Sequence, residues 1–95
     1  MSDVINGAVA ALSQKLGTGF DGTARFDIIG EGSIVVDRDG VRAGDDAADV
    51  VLSADADTFR DILEGTLNPT SAFMTGKLGI EGDMGQAMKL GAVLA

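Results

Sequence analysis

The 95-residue chain contains no cysteine, histidine, tryptophan or tyrosine, and a single proline. Without cysteine there is no disulfide and no thiolate site, so redox chemistry does not indicate a compartment. Without histidine as well, the Ser-His-Asp and Cys-His constellations cannot be assembled. Metal ligation would rest on carboxylates alone, and their spacing offers no cluster. No metal, cofactor or catalysis is expected. The only aromatics are four phenylalanines among 45% hydrophobic residues. The interior must therefore be built from Ala, Val, Ile, Leu and Met, small units with adaptable thioether filling.

Positive charge is also scarce. Seven Lys and Arg face fifteen Asp and Glu, a formal net charge of −8. That balance repels the phosphates a nucleic-acid binder must neutralise, and it limits contact with anionic bilayers to transient encounters. The N-terminal MSDVINGAVAALSQKLG lacks a basic n-region and carries Asp3, Asn6, Ser13, Gln14 and Lys15. It reads as neither signal peptide nor membrane span. The C-terminal GAVLA is not a peroxisomal address, and a cytoplasmic location is expected. A chain of this size buries roughly 60 to 70% of its unfolded surface, enough for one core. One domain over 1–95, as a monomer or weak dimer, is expected.

What is present is punctuated periodicity. Over 3–16, Val4, Ile5, Ala8, Val9, Leu12 and Leu16 share a helical stripe that Gly17 ends. Ala24, Phe26 and Ile28 alternate with Arg25, Asp27 and Ile29, the period of a half-buried strand. SIVVD and VRAG flank Arg38-Asp39-Gly40, a hairpin signal that predicts antiparallel pairing. DVVLS makes a fourth strand with Val50 and Leu52 on one face. Asp55 caps a helix whose inner face holds Ala56, Phe59, Ile62 and Leu63, ending at Gly65. Asn68-Pro69 opens a short helix, TSAFMT, that ends at Gly76. LGI is a fifth strand, and Gly82-Asp83 starts a last helix with Met84, Ala87, Met88, Leu90, Gly91 and Leu94 in one stripe. Gln86 and Lys89 mark its wet side. The order predicts an α+β fold, a mostly antiparallel sheet covered on one face by helices.

Two motif matches fail on context. GTGFDG at 17–22 fits G-x-G-x-x-G, but a helix precedes it and a strand follows, the reverse of a dinucleotide fingerprint. Phe20 within it is expected to plug the core. DRDG resembles part of a calcium loop, but Val35 would occupy the first ligand position and strands flank it, so a hairpin turn is the better account.

The informative stretch is NPTSAFMTGKLGIEGDMGQAMKL, residues 68 to 90. Gly76 and Gly82 are expected at positive-φ turns, whereas Gly79 and Gly91 delete side chains beside Phe73, Met74, Met84 and Met88. Core packing would explain any one of these residues. Thioethers beside deleted side chains inside an acidic shell describe an adaptable apolar cavity.

The ordered set Asn68-Pro69, Ala72-Phe73-Met74, Gly76-Lys77-Leu78, Ile80, Gly82-Asp83, Ala87 and Lys89-Leu90 resembles the C-terminal signature of the sterol carrier protein type 2 domain family. Asp39-Gly40, Ala48-Asp49-Val50 and the Phe59 helix are similar to the same family further upstream. The resemblance implies a five-stranded, mostly antiparallel sheet with an apolar tunnel between sheet and helices, and no catalysis. It implies a tunnel wall of Phe73, Met74, Leu78, Ile80, Met84, Ala87 and Met88, with Phe26, Phe59 and Leu63 behind; the inner stripe of the last helix adds Gly91 to that wall. The ligand the resemblance implies is a fatty acid, acyl-CoA, sterol or phospholipid; with the acidic chain set against acyl-CoA phosphates, a long-chain fatty acid, phospholipid or isoprenoid is expected, and sterol is the least supported. A competing reading is a scaffold for a lipid-pathway enzyme that fills its own core.

Overall fold

The computed structural model describes residues 3–16 and 20–94. Helix α1 (Asp3–Leu16) leads into strands β1 (Ala24–Ile28), β2 (Gly32–Asp37), β3 (Gly40–Ala43) and β4 (Val50–Ala54). Helices α2 (Ala56–Glu64) and α3 (Pro69–Met74), strand β5 (Gly79–Gly82) and helix α4 (Met84–Leu94) complete the chain. The GTGFDG stretch and the Gly17 helix stop fall partly or wholly outside the described residues.

The sheet is five-stranded with order β3-β2-β1-β4-β5. β1–β2, β2–β3 and β4–β5 are antiparallel, and β1–β4 is parallel. The β2–β3 hairpin forms as its Asp-Gly turn predicts: the Asp39 N–H donates to Asp37 Oδ1 at 2.9 Å and Gly40 has φ +125°. Ala24, Phe26, Ile28, Ile34, Val36, Val50, Leu52 and Ala54 lie in one buried cluster with Ile5 and Leu12 of α1 and Ala87, Leu90 and Leu94 of α4. Phe26 and Phe59 stack in that core with ring centroids 5.6 Å apart. Phe20 is buried with them. The opposite face carries Arg25, which bonds Asp27 at 2.9 Å, and Ser33, which donates to Asp27 at 2.8 Å. Alternation along β1 thus separates an apolar helix-covered face from a charged one.

The helix ends follow local chemistry. The Asp55 carboxylate accepts the Thr58 N–H at 2.8 Å, and Gly65 takes φ +83°. Asn68 Oδ1 accepts from the Thr70 and Ser71 N–H groups at 2.8 and 3.3 Å, with Pro69 as the first helical residue. Gly76, at φ +80°, turns the chain out of α3, and the Lys77 and Leu78 N–H groups donate back to the Ala72 carbonyl. That closure anchors Leu78 at the helix end, so the fifth strand runs from Gly79 to Gly82 instead of over 78–80. Among the described residues, no helix is long and apolar enough to cross a membrane.

Candidate functional site

Helices α3 and α4 splay over the β4–β5 edge of the sheet and leave a cleft of about 430 Å³. Its floor is Leu52, Leu78 and Ile80; α3 supplies Pro69 and Phe73; α4 supplies Met84, Ala87, Met88 and Gly91. The register fixes the floor, because Leu52 pairs with Ile80 and both turn to the helix side. Leu78 and Ala87 are buried, but Phe73, Met84 and Met88 are 42%, 48% and 74% exposed. An apolar wall open to water along one side results. Asn68 and Thr70 provide the polar rim.

The methionines stand open because of where they fall on α4. Successive helical residues rotate by about 100°, which centres the buried face on Ala87, Leu90 and Leu94 and puts Met84 and Met88 on its flank. The expected six-residue stripe is therefore narrower. Gly91 lies between the two sets, and a Cβ built on it meets nothing within 4 Å. It does leave space in the cleft. Gly79 does not: its register partner is Ser53, and a Cβ there would lie 2.8 Å from Ser53 Oγ on the sheet face away from the helices. Gln86 is also not on the wet side. Its amide donates to Asp49 Oδ2 at 3.2 Å and leans over Gly22, where any side chain would run into it.

Seven of the eleven residues singled out in sequence line this one cleft: Phe73, Leu78, Ile80, Met84, Ala87, Met88 and Gly91. Met74 is 79% exposed on the outer side of α3 and lies outside the cleft. The α3 helix is only six residues long, and Ala72 takes its inward position. Phe26 is wholly enclosed in the core. Phe59 and Leu63 line a different hollow of about 320 Å³ between α1 and α2, walled also by Gly7, Ala8, Ala11 and Ala56, with Asp3, Arg60 and Glu64 at its mouth. The two hollows share no residue. Leu52 and Pro69 were not singled out as site residues. Val50 and Leu52 on one strand face, next to the Asn68-Pro69 cap, were the available signal.

The described residues contain no group of three carboxylates placed to hold a metal. The resolved electrostatic shifts lie outside the cleft. Asp37 is held below the usual 3.8, first by its hydrogen bond from Arg42 and then by the Asp39 N–H. Asp55 is held below it by the Thr58 N–H and hydroxyl. Both serve a turn or a cap, and neither lines the apolar cleft.

A five-stranded, antiparallel-dominated sheet carrying helices on one face, with an apolar cleft beneath the last helix, defines an α+β domain with an open apolar site. Residues 7–95 match the SCP-2 sterol transfer family, and the chain belongs to that family. It is 36% identical over 103 residues to hydroxysteroid dehydrogenase-like protein 2 of Danio rerio, with all of this chain aligned to 25% of that protein. The chain thus spans about a quarter of the length of that relative. Sterol carrier protein 2 like 2 of Aedes aegypti has the same fold, with TM-score 0.80 at 22% identity over 95% of both chains. Sterol carrier protein-2 of Aedes aegypti, solved as a complex with the C16 fatty acid palmitate, also gives TM-score 0.80, at 21% identity over 100% of this chain and 97% of that one.

Proposed function

We propose that this domain binds one long-chain lipid in the α3–β5–α4 cleft and presents or transfers it, without chemistry of its own. The observation that carries the reading is the exposed apolar wall: a chain with only four aromatic residues leaves one of them, Phe73, partly uncovered with Met84 and Met88 around one cavity. The palmitate complex of the Aedes aegypti protein supports an acyl chain as the occupant. In this reading the chain enters along Met84 and Met88 and lies on Leu78, Ile80 and Ala87, while Phe26, Phe59 and Leu63 stand behind that wall in the core and in the separate α1–α2 hollow. Burying about fifteen methylenes at ~0.8 kcal/mol each offers ~12 kcal/mol, from which association and chain ordering subtract ~4 or more. Micromolar affinity remains. Membrane contact is transient, the setting is cytoplasmic, and the protein acts as a monomer or weak dimer.

Organic extraction of the purified protein followed by mass spectrometry should release a bound lipid, and a fluorescent fatty acid should titrate the delipidated form. No saturable signal up to about 100 μM, far above the estimated affinity, would sink the reading. A second reading rests on the dehydrogenase-like relative, in which a segment similar to this chain forms a quarter of a longer protein. There the domain would be an interaction module of a lipid-pathway enzyme with no ligand of its own. A clean extract from a well-folded protein favours that reading.

A further inference from the structure

We propose that Met84 and Met88 form an oxidation site through which peroxide lowers the lipid affinity of the cleft, an inference that rests on the cleft being the lipid site. The chain has no Cys, Trp, Tyr or His, so its thioethers are the side chains a two-electron oxidant attacks first. Here Met84 and Met88 line the cleft and yet are 48% and 74% exposed. They are four residues apart on α4, neighbours on one strip of the helix. The open space at Gly91 lies beside them on the same wall. Met74, 79% exposed on the far side of α3, meets the same oxidant without touching the cleft.

The chemistry is balanced by peroxide alone. A sulfur lone pair attacks one peroxide oxygen, the S–O bond forms as the O–O bond breaks, and the departing hydroxide takes the remaining proton to leave as water. Sulfur is oxidised by two electrons and the peroxide is reduced. The product sulfoxide is a strong acceptor on a wall otherwise made of hydrocarbon. Covering it with an acyl chain strips its water without supplying a donor. Binding therefore weakens, and the two epimer-specific methionine sulfoxide reductases restore it when a dithiol supplies the two electrons, the oxygen leaving as water and the dithiol becoming a disulfide.

The test uses the delipidated 95-residue chain and pyrene-labelled dodecanoic acid. Peroxide treatment should add one oxygen each to Met84 and Met88, located by peptide mass spectrometry, and raise the Kd by about tenfold or more. Reductase treatment should reverse both changes. Met74→Leu should respond as the parent does, whereas the M84L/M88L double variant, compared with its own untreated affinity, should lose the response. Full oxidation at both positions with an unchanged Kd, protection of both from peroxide, or a response that persists in the double variant overturns the proposal. If untreated protein fails to bind the probe, the lipid reading itself falls and takes this site with it. Binding that is indifferent to oxidation removes only the oxidation site.

Discussion

Gly91 and Gly82 show how two glycines of one segment differ in what a side chain would do. A Cβ at Gly91 meets open space in the cleft, and leucine is the better helix former by up to ~0.8 kcal/mol. Gly91→Leu should therefore keep or raise the melting temperature while weakening fatty-acid binding, and Met88→Trp should act in the same direction by filling the mouth. A filled core would instead answer both changes with overpacking, roughly 1 to 3 kcal/mol. Loss of stability with full ligand affinity in both variants would show that the wall has been assigned wrongly. Gly82 has φ +99°, and any Cβ there collides with the Asp49 carbonyl. Gly82→Ala should lose about 2 kcal/mol or more, combining backbone strain with that clash, read as a lower urea midpoint. Both glycines are conspicuous in sequence, but only the neighbours that folding brings up distinguish a space from a clash.

At the scale of elements, what could be read beforehand was what the chain decides locally. Asp55, Gly65, Asn68, Pro69 and Gly76 act on groups within a few residues, so the ends of α2 and α3 were legible. The parallel β1–β4 pairing was not, because it joins residues across the whole hairpin and no local signal specifies it. The face of Gly79 and the outward position of Met74 depend on register and on which neighbour claims the inner side. The α1–α2 hollow was missed for the same reason: Gly7, Ala8, Ala11 and Ala56 read as ordinary helix residues until their helices are set against each other. Two predictions belong here. Asn68→Ala removes both α3 cap bonds and should cost about 1 kcal/mol in chemical denaturation, loosening the Phe73 wall with it. Asp55 and Asp37 have folded-state values below 3.8, so their stabilisation is present above that unfolded value and is lost as pH falls through the folded values. The urea midpoint should hold steady above about pH 5 and fall from about pH 4 downward. Asp55→Asn keeps an acceptor that does not titrate and should flatten part of that fall. An equally steep decline in the variant would remove Asp55 from the account.

For the whole molecule, the decisive quantity is how much a bound lipid adds to a small core. The net charge of −8 opposes compaction weakly, and the ion pairs of Arg38 and Arg60 lie on exposed surface, where such pairs contribute little. Stability therefore rests on the buried cluster that, among the described residues, joins the sheet to all four helices. The cleft beside it opens to water and is not a dry void, so it does not cost the ligand-free protein a cavity penalty and the stripped form should remain folded. A ligand that binds only the folded state stabilises it by mass action, about 2.7 kcal/mol at a hundredfold excess over Kd. At ~4 to 8 °C per kcal/mol for a domain of this size, lipid-loaded protein should melt roughly 10 to 20 °C above the stripped form. The check is a thermal melt of both forms at matched protein concentration and salt, with lipid content measured by extraction before each run. The scaffold reading expects one curve. Coincident melts after a verified lipid addition would mean that Phe73, Met84 and Met88 line a surface the lipid does not use.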